Sequence, residues 1–121
     1  TCDVLWQEAR ERQITYLAGS IQEYPAGHSF GLLALIKVLY PARELVCVSA
    51  DSGLPEALRQ YLLENNPINL SVILKTKENK ARLEKALPYV KDYPIPAKGA
   101  MYYLCRNGVC MAPVEDISKL Q

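Results

Sequence analysis

Ala100-Met101-Tyr102-Tyr103-Leu104-Cys105-Arg106-Asn107-Gly108-Val109-Cys110-Met111-Ala112-Pro113 is two apolar runs joined by Asn-Gly, the strongest short-range signal for a β-hairpin. With Asn107 and Gly108 as the two turn residues the register is set: Arg106 faces Val109, Cys105 faces Cys110, Leu104 faces Met111 and Tyr103 faces Ala112. Side chains alternate between the two faces of such a ribbon. One face therefore carries Met101, Tyr103, Cys105, Cys110 and Ala112, and the other Tyr102, Leu104, Val109 and Met111. Both are apolar and both need cover, which predicts a sheet lying between two helical layers.

The preceding chain supplies the rest of that sheet. Glu44 to Ser49 is a continuous run rich in β-branched residues and lacks polar alternation, so it reads as a central strand buried on both sides. Leu70 to Leu74 reads as a second strand. Between them, Pro55 sits where a first helical turn tolerates proline, and Leu54, Leu58, Tyr61 and Leu62 share a helix face that stops at Asn65-Asn66-Pro67. Thr76 is placed to cap a third helix through Leu87, with Glu78 spaced to meet Arg82 and Lys80 to meet Glu84. Residues 88 to 98, with three prolines, form an irregular crossing, and Asp116 to Leu120 form a short closing helix. The expected class is an α/β three-layer sandwich with a mixed four-stranded sheet. Its order, strand, helix, strand, helix, strand, strand, helix, is that of the thioredoxin fold.

Ahead of this α/β part (44–121) stand two helices (1–40). From Asp3 to Tyr24 apolar residues recur at three- and four-residue steps, and Pro25 ends the run. Ser29 to Tyr40 is apolar nearly all round, with Ser29 placed to N-cap it and Pro41 to stop it; such a helix is expected to be buried. The 121 residues are read as one domain, expected to be a piece of a longer protein because it opens on Thr1 and goes straight into a helix.

Composition narrows the partners. The net charge is +1 and no cluster of Lys or Arg stands out, so the electrostatic footprint of a nucleic-acid binder is missing. No apolar run approaches the roughly 20 residues of a membrane helix, and a cytoplasmic location is expected. Four cysteines, Cys2, Cys47, Cys105 and Cys110, at irregular spacing with a single His, suit neither a secreted disulfide framework nor a zinc site. No metal or cofactor is expected.

Gly27-His28-Ser29-Phe30-Gly31 matches the G-x-S-x-G pattern of serine hydrolases. A nucleophile elbow needs a strand before the serine and a histidine elsewhere to act as base, whereas here a helix precedes it and the one His lies inside the motif. Helix capping by Ser29 and a turn position for His28 are the expected roles. Ala50 to Gly53, at the carboxyl end of a strand and before a helix, lies where anions can bind, but without a glycine fingerprint it reads as a connecting loop. Cys105 and Cys110 are the candidate redox residues. As a non-hydrogen-bonded cross-strand pair, with Cα atoms about 4.5 Å apart, they read either as two packed thiols or as a bridge that is easily reduced.

Tyr24-Pro25-Ala26-Gly27-His28-Ser29, the leucine-rich helix ending in Pro41-Ala42-Arg43-Glu44-Leu45-Val46, and Tyr103-Leu104-Cys105-Arg106-Asn107-Gly108-Val109-Cys110-Met111-Ala112-Pro113-Val114 together resemble the C-terminal end of the bacterial YyaL and spermatogenesis-associated thioredoxin-domain proteins. The likeness spans most of the chain, departing at Lys98-Gly99-Ala100, where related sequences tend to have a Pro. It implies an upstream thioredoxin-like domain and a glycosidase-like helical toroid, with this chain as the tail domain and the last toroid helices. The implied partners are the upstream domains of the same protein, with self-association of the isolated piece. The implied function is that of a non-catalytic accessory domain, and the alternative is a thiol-redox module using Cys105 and Cys110.

Overall fold

The computed structural model describes residues 4–40, 42–65, 67, 69–106 and 109–120. The chain forms two compact units, Thr1–Pro41 and Ala42–Gln121, dividing close to where the sequence passes from paired helices to strands.

The first unit is a helical pair, α1 (Val4–Glu23) and α2 (Ser29–Leu39), joined by a 3₁₀ turn, Pro25–His28. The helices approach closely at Gly31, where a Cβ would stand 2.8 Å from Ile21 Cδ1, and Ile21 is the pair's buried residue. Two expectations are corrected here. Ser29 is no N-cap: the 3₁₀ turn runs straight into α2, so Ser29 already has helical angles, φ −53 and ψ −44, and its hydroxyl lies 3.5 Å from the Ala26 carbonyl. Nor is α2 enclosed, because a single partner helix covers only one stripe of it; Phe30 is 88% and Leu39 75% exposed.

The second unit is an α/β sandwich around a four-stranded mixed sheet. Its strands are β1 (Arg43–Ser49), β2 (Leu70–Lys75), β3 (Ala100–Arg106) and β4 (Val109–Cys110), in the spatial order β2-β1-β3-β4. β1 runs parallel to β2 and antiparallel to β3. Central β1 is buried on both faces as its composition predicts, with Leu45, Val46, Cys47 and Val48 all at 0% exposure. Helix α3 (Glu56–Asn65) closes one face: Leu58 packs with Leu45, Cys47, Tyr102 and Ile117, the last from the 3₁₀ turn Ile117–Lys119. The opposite face carries Val46, Val48 and Tyr103, against Tyr93 and Ile95 of the proline-rich crossing.

Helix α4 (Lys80–Ala86) starts later than the sequence suggests, but Thr76 does organise its beginning. Asn79 N–H donates to Thr76 Oγ1 at 3.4 Å while Thr76 N–H donates to Asn79 Oδ1 at 2.8 Å, the reciprocal arrangement of a capping box with Asn in the place of Glu. The expected partner of Glu84 is replaced: its carboxylate meets Lys75, at 2.9 Å, because Lys75 extends β2 by one residue and points to the face that α4 borders. The crossing then makes a 3₁₀ turn, Pro88–Asp92. It reaches β3 through Gly99, whose φ of +71 suits a residue without Cβ and lets its carbonyl accept the Ala50 N–H at 2.9 Å.

The hairpin register is the expected one, Arg106 opposite Val109 and Cys105 opposite Cys110, with Met111 N–H donating to the Leu104 carbonyl at 2.9 Å. The Asn107-Gly108 turn lies outside the described residues. Beyond Met111 the expected pairing fails, since Tyr102 bridges Val114. Two residues, Ala112 and Pro113, thus stand opposite one, Tyr103, a bulge that takes up the missing proline N–H. Cover on both sides of the ribbon is also corrected: β4 is a two-residue edge strand, and Val109 is 72% and Met111 46% exposed.

Candidate functional site

Cys105 and Cys110 are joined by a disulfide, with Cα atoms 3.8 Å apart. The two halves see different surroundings. Cys105 is 6% exposed and, across β3, lies in register with Glu44 of β1; Cys110 is exposed at the edge. Over them stands Tyr93, whose hydroxyl oxygen is 3.0 Å from Cys110 Sγ and 3.8 Å from Cys105 Sγ. Sulfurs bonded to each other carry no hydrogen, so the phenol is the donor to either sulfur, and its one hydrogen favours the nearer, Cys110 Sγ. Its ring packs on Tyr103 with centroids 4.5 Å apart, and burial, helped by the charge of Glu44, pushes its hydroxyl above the ordinary phenol range. Glu44 in turn accepts from the Tyr89 hydroxyl at 2.9 Å.

Tyr93 comes from a segment without regular structure, and Lys75 holds that segment in place. The Lys75 side chain is 1% exposed; its ammonium donates to the carbonyls of Val90 at 2.6 Å and Tyr93 at 2.8 Å, and pairs with Glu84. These contacts place a cation in the core with three oxygen partners, the condition under which a buried charge is tolerated. The hydrogen bond from Lys75 holds the Glu84 carboxyl below its ordinary value.

The other sequence candidates fall apart from this cluster. Cys47 faces the opposite side of the sheet, fully buried, and burial pushes its thiol up to about 12, which leaves it protonated and inert at neutral pH. Cys2 lies outside the described residues. His28 Nδ1 sits 2.9 Å from the Tyr24 carbonyl as part of a turn, and among the described residues it is helix α1 and a 3₁₀ turn, with no strand, that precede Ser29. The 50–53 loop holds no cysteine; it borders an open hollow of about 530 Å³ that also involves Glu56 and Glu115, with Asp51 N–H donating to Ser49 Oγ at 3.1 Å. Among the described residues no group of three or more His, Cys, Asp and Glu is placed to hold a metal, and no helix is long and apolar enough to cross a membrane.

Neither Lys75 nor Tyr93 stands out in the sequence. The one available signal for Lys75 is position: it continues the Leu70–Leu74 run on the face shared with Ile73. No family model, no curated protein and no solved structure matches this chain.

Proposed function

We propose that this chain is a non-catalytic accessory unit, the C-terminal part of a multidomain thioredoxin-domain protein that packs against the upstream domains of its own chain. The observation that carries this reading is the apolar surface left by the helical pair, where Trp6 is 67%, Phe30 88%, Leu33 55% and Leu39 75% exposed; surface of that kind marks an interaction site. The resemblance set out above supplies the partner. The sheet order with β3 antiparallel to its neighbour β1 supports a thioredoxin-like α/β unit beside it. Sedimentation of the 121-residue chain tests the reading. Concentration-dependent self-association is expected, relieved by Phe30→Glu with Leu33→Glu; a chain that stays monomeric at every concentration overturns it.

A second reading is favoured by the Cys105–Cys110 bond. In a cytoplasmic protein such a bond is a transient or sensing element, and its edge position makes it accessible. On this reading the α/β unit is a thiol-redox module. Turnover in insulin reduction that disappears in Cys105→Ser supports it, and equal rates in both proteins overturn it.

A further inference from the structure

Exchange between a thiolate and a disulfide depends on which sulfur can be reached and on how well the other departs. Cys105 is 6% exposed, whereas Cys110 is exposed at the sheet edge, so an external thiolate reaches the bond from the Cys110 side. Cys105 is then the leaving sulfur. The Tyr93 hydroxyl, at rest 3.0 Å from Cys110 Sγ, already lies 3.8 Å from Cys105 Sγ, and rotation about its own C–O bond redirects the hydrogen. Its backbone is fixed by Lys75 and its ring by Tyr103, so the donor needs no rearrangement to meet the charge that forms.

Resting on the redox reading above, we propose that Cys110 is the site at which an external thiolate forms a mixed disulfide, and that Tyr93 is the hydrogen-bond donor to the departing Cys105 thiolate. The thiolate sulfur bonds to Cys110 Sγ as the Cys105–Cys110 bond breaks, and the electron pair of that bond leaves on Cys105 Sγ. One S–S bond replaces another, with no net oxidation. Cys105 is held by the phenol hydrogen bond until it takes a proton from water. A second equivalent of the same thiol, attacking the external sulfur of the mixed disulfide, expels Cys110 as thiolate. The two external thiols are then oxidised together to their disulfide, and both cysteines are reduced. The raised Tyr93 hydroxyl stays protonated throughout the neutral range.

The test treats the oxidised 121-residue chain with glutathione in one arm. In the other it uses a thioredoxin-type reductase whose resolving cysteine is replaced by serine, which separates small-molecule from protein thiols. After an early quench with iodoacetamide, trypsin cuts following Lys98 and Arg106, so that Cys105 and Cys110 fall in different peptides. In at least one arm the adduct is expected on Cys110 with the alkyl group on Cys105. Tyr93→Phe keeps the ring and is expected to slow adduct formation about tenfold, the worth of one hydrogen bond to a charged group, with unchanged circular dichroism. An adduct on Cys105, or an undiminished rate in Tyr93→Phe, overturns the inference and leaves the redox reading standing. A bond that neither thiol opens overturns both. Should Tyr93→Phe not fold, the adduct position on the unaltered chain decides alone.

Discussion

On one face of the sheet Leu58 and Ile117 settle on Leu45, Cys47 and Tyr102; on the other, a buried lysine reaches across to two carbonyls and a carboxylate. The first face is closed by area alone, each fully buried aliphatic side chain contributing about 1.5–3 kcal/mol. On the second face, α4 is short and the crossing has only a single 3₁₀ turn to satisfy its own backbone, so Lys75 adds donors to the Val90 and Tyr93 carbonyls. The contrast teaches where this sheet can vary. A face closed by area tolerates exchange among apolar side chains of similar volume, while the second face, whose apolar cluster of Val46, Val48 and Tyr103 lies under a crossing that Lys75 anchors, depends on that cation as well.

The contrast breaks most sharply at Lys75. Lys75→Met keeps the length of the side chain but takes the ammonium donor from the Tyr93 carbonyl, leaves the Val90 carbonyl with only the Tyr93 N–H at 3.3 Å, and strips Glu84 of its partner; it is expected to cost about 3–5 kcal/mol in denaturant unfolding. A loss near zero would mean that area closes both faces. Leu58→Ala should follow at about 2–4 kcal/mol, the cavity cost of a large-to-small core change, measured in the same way and without displacing Tyr93. Reducing the Cys105–Cys110 bond should cost about 2 kcal/mol, because the loop it closes is short. That can be read from the shift in urea midpoint with and without reductant.

The smallest effect is on the acid side. The Glu84 carboxyl is held below its ordinary value of 4.5 mainly by the hydrogen bond from Lys75. A folded-state value lower than the unfolded one contributes stability that is fully present above pH 4.5 and is lost as the pH falls through the lower folded value. Glu84→Gln should therefore flatten the acid limb of the stability curve below that point and leave the neutral slope alone; an unaltered acid limb would show that the carboxylate is not coupled to the lysine.

The same contrast explains what the sequence discloses. β1 and the hairpin register are legible because a continuous β-branched run and Asn-Gly are local signals, and the face closed by α3 follows from a helical stripe of Leu58, Tyr61 and Leu62. Cys105 and Cys110 are brought together by that register. Tyr93 and Lys75 are not legible, because their pairing joins residues 18 positions apart through a backbone carbonyl, an acceptor that every residue carries and no sequence pattern marks. The bulge at Ala112-Pro113 is not legible in the register, which runs Tyr103 straight opposite Ala112, and the proline does not settle it, since an edge strand also tolerates one. The exposure of α2 follows from the pair having only two helices.

That bulge sets how the β4 edge of the sheet meets other chains. An edge strand normally offers a row of free donors and acceptors on which a foreign strand can grow. Here the regular edge is two residues long, is then kinked by the bulge, and continues into Pro113, which has no N–H to give. Aggregation by strand addition finds no footing along this side, so the unit can keep an accessible disulfide at its rim without making that rim a template.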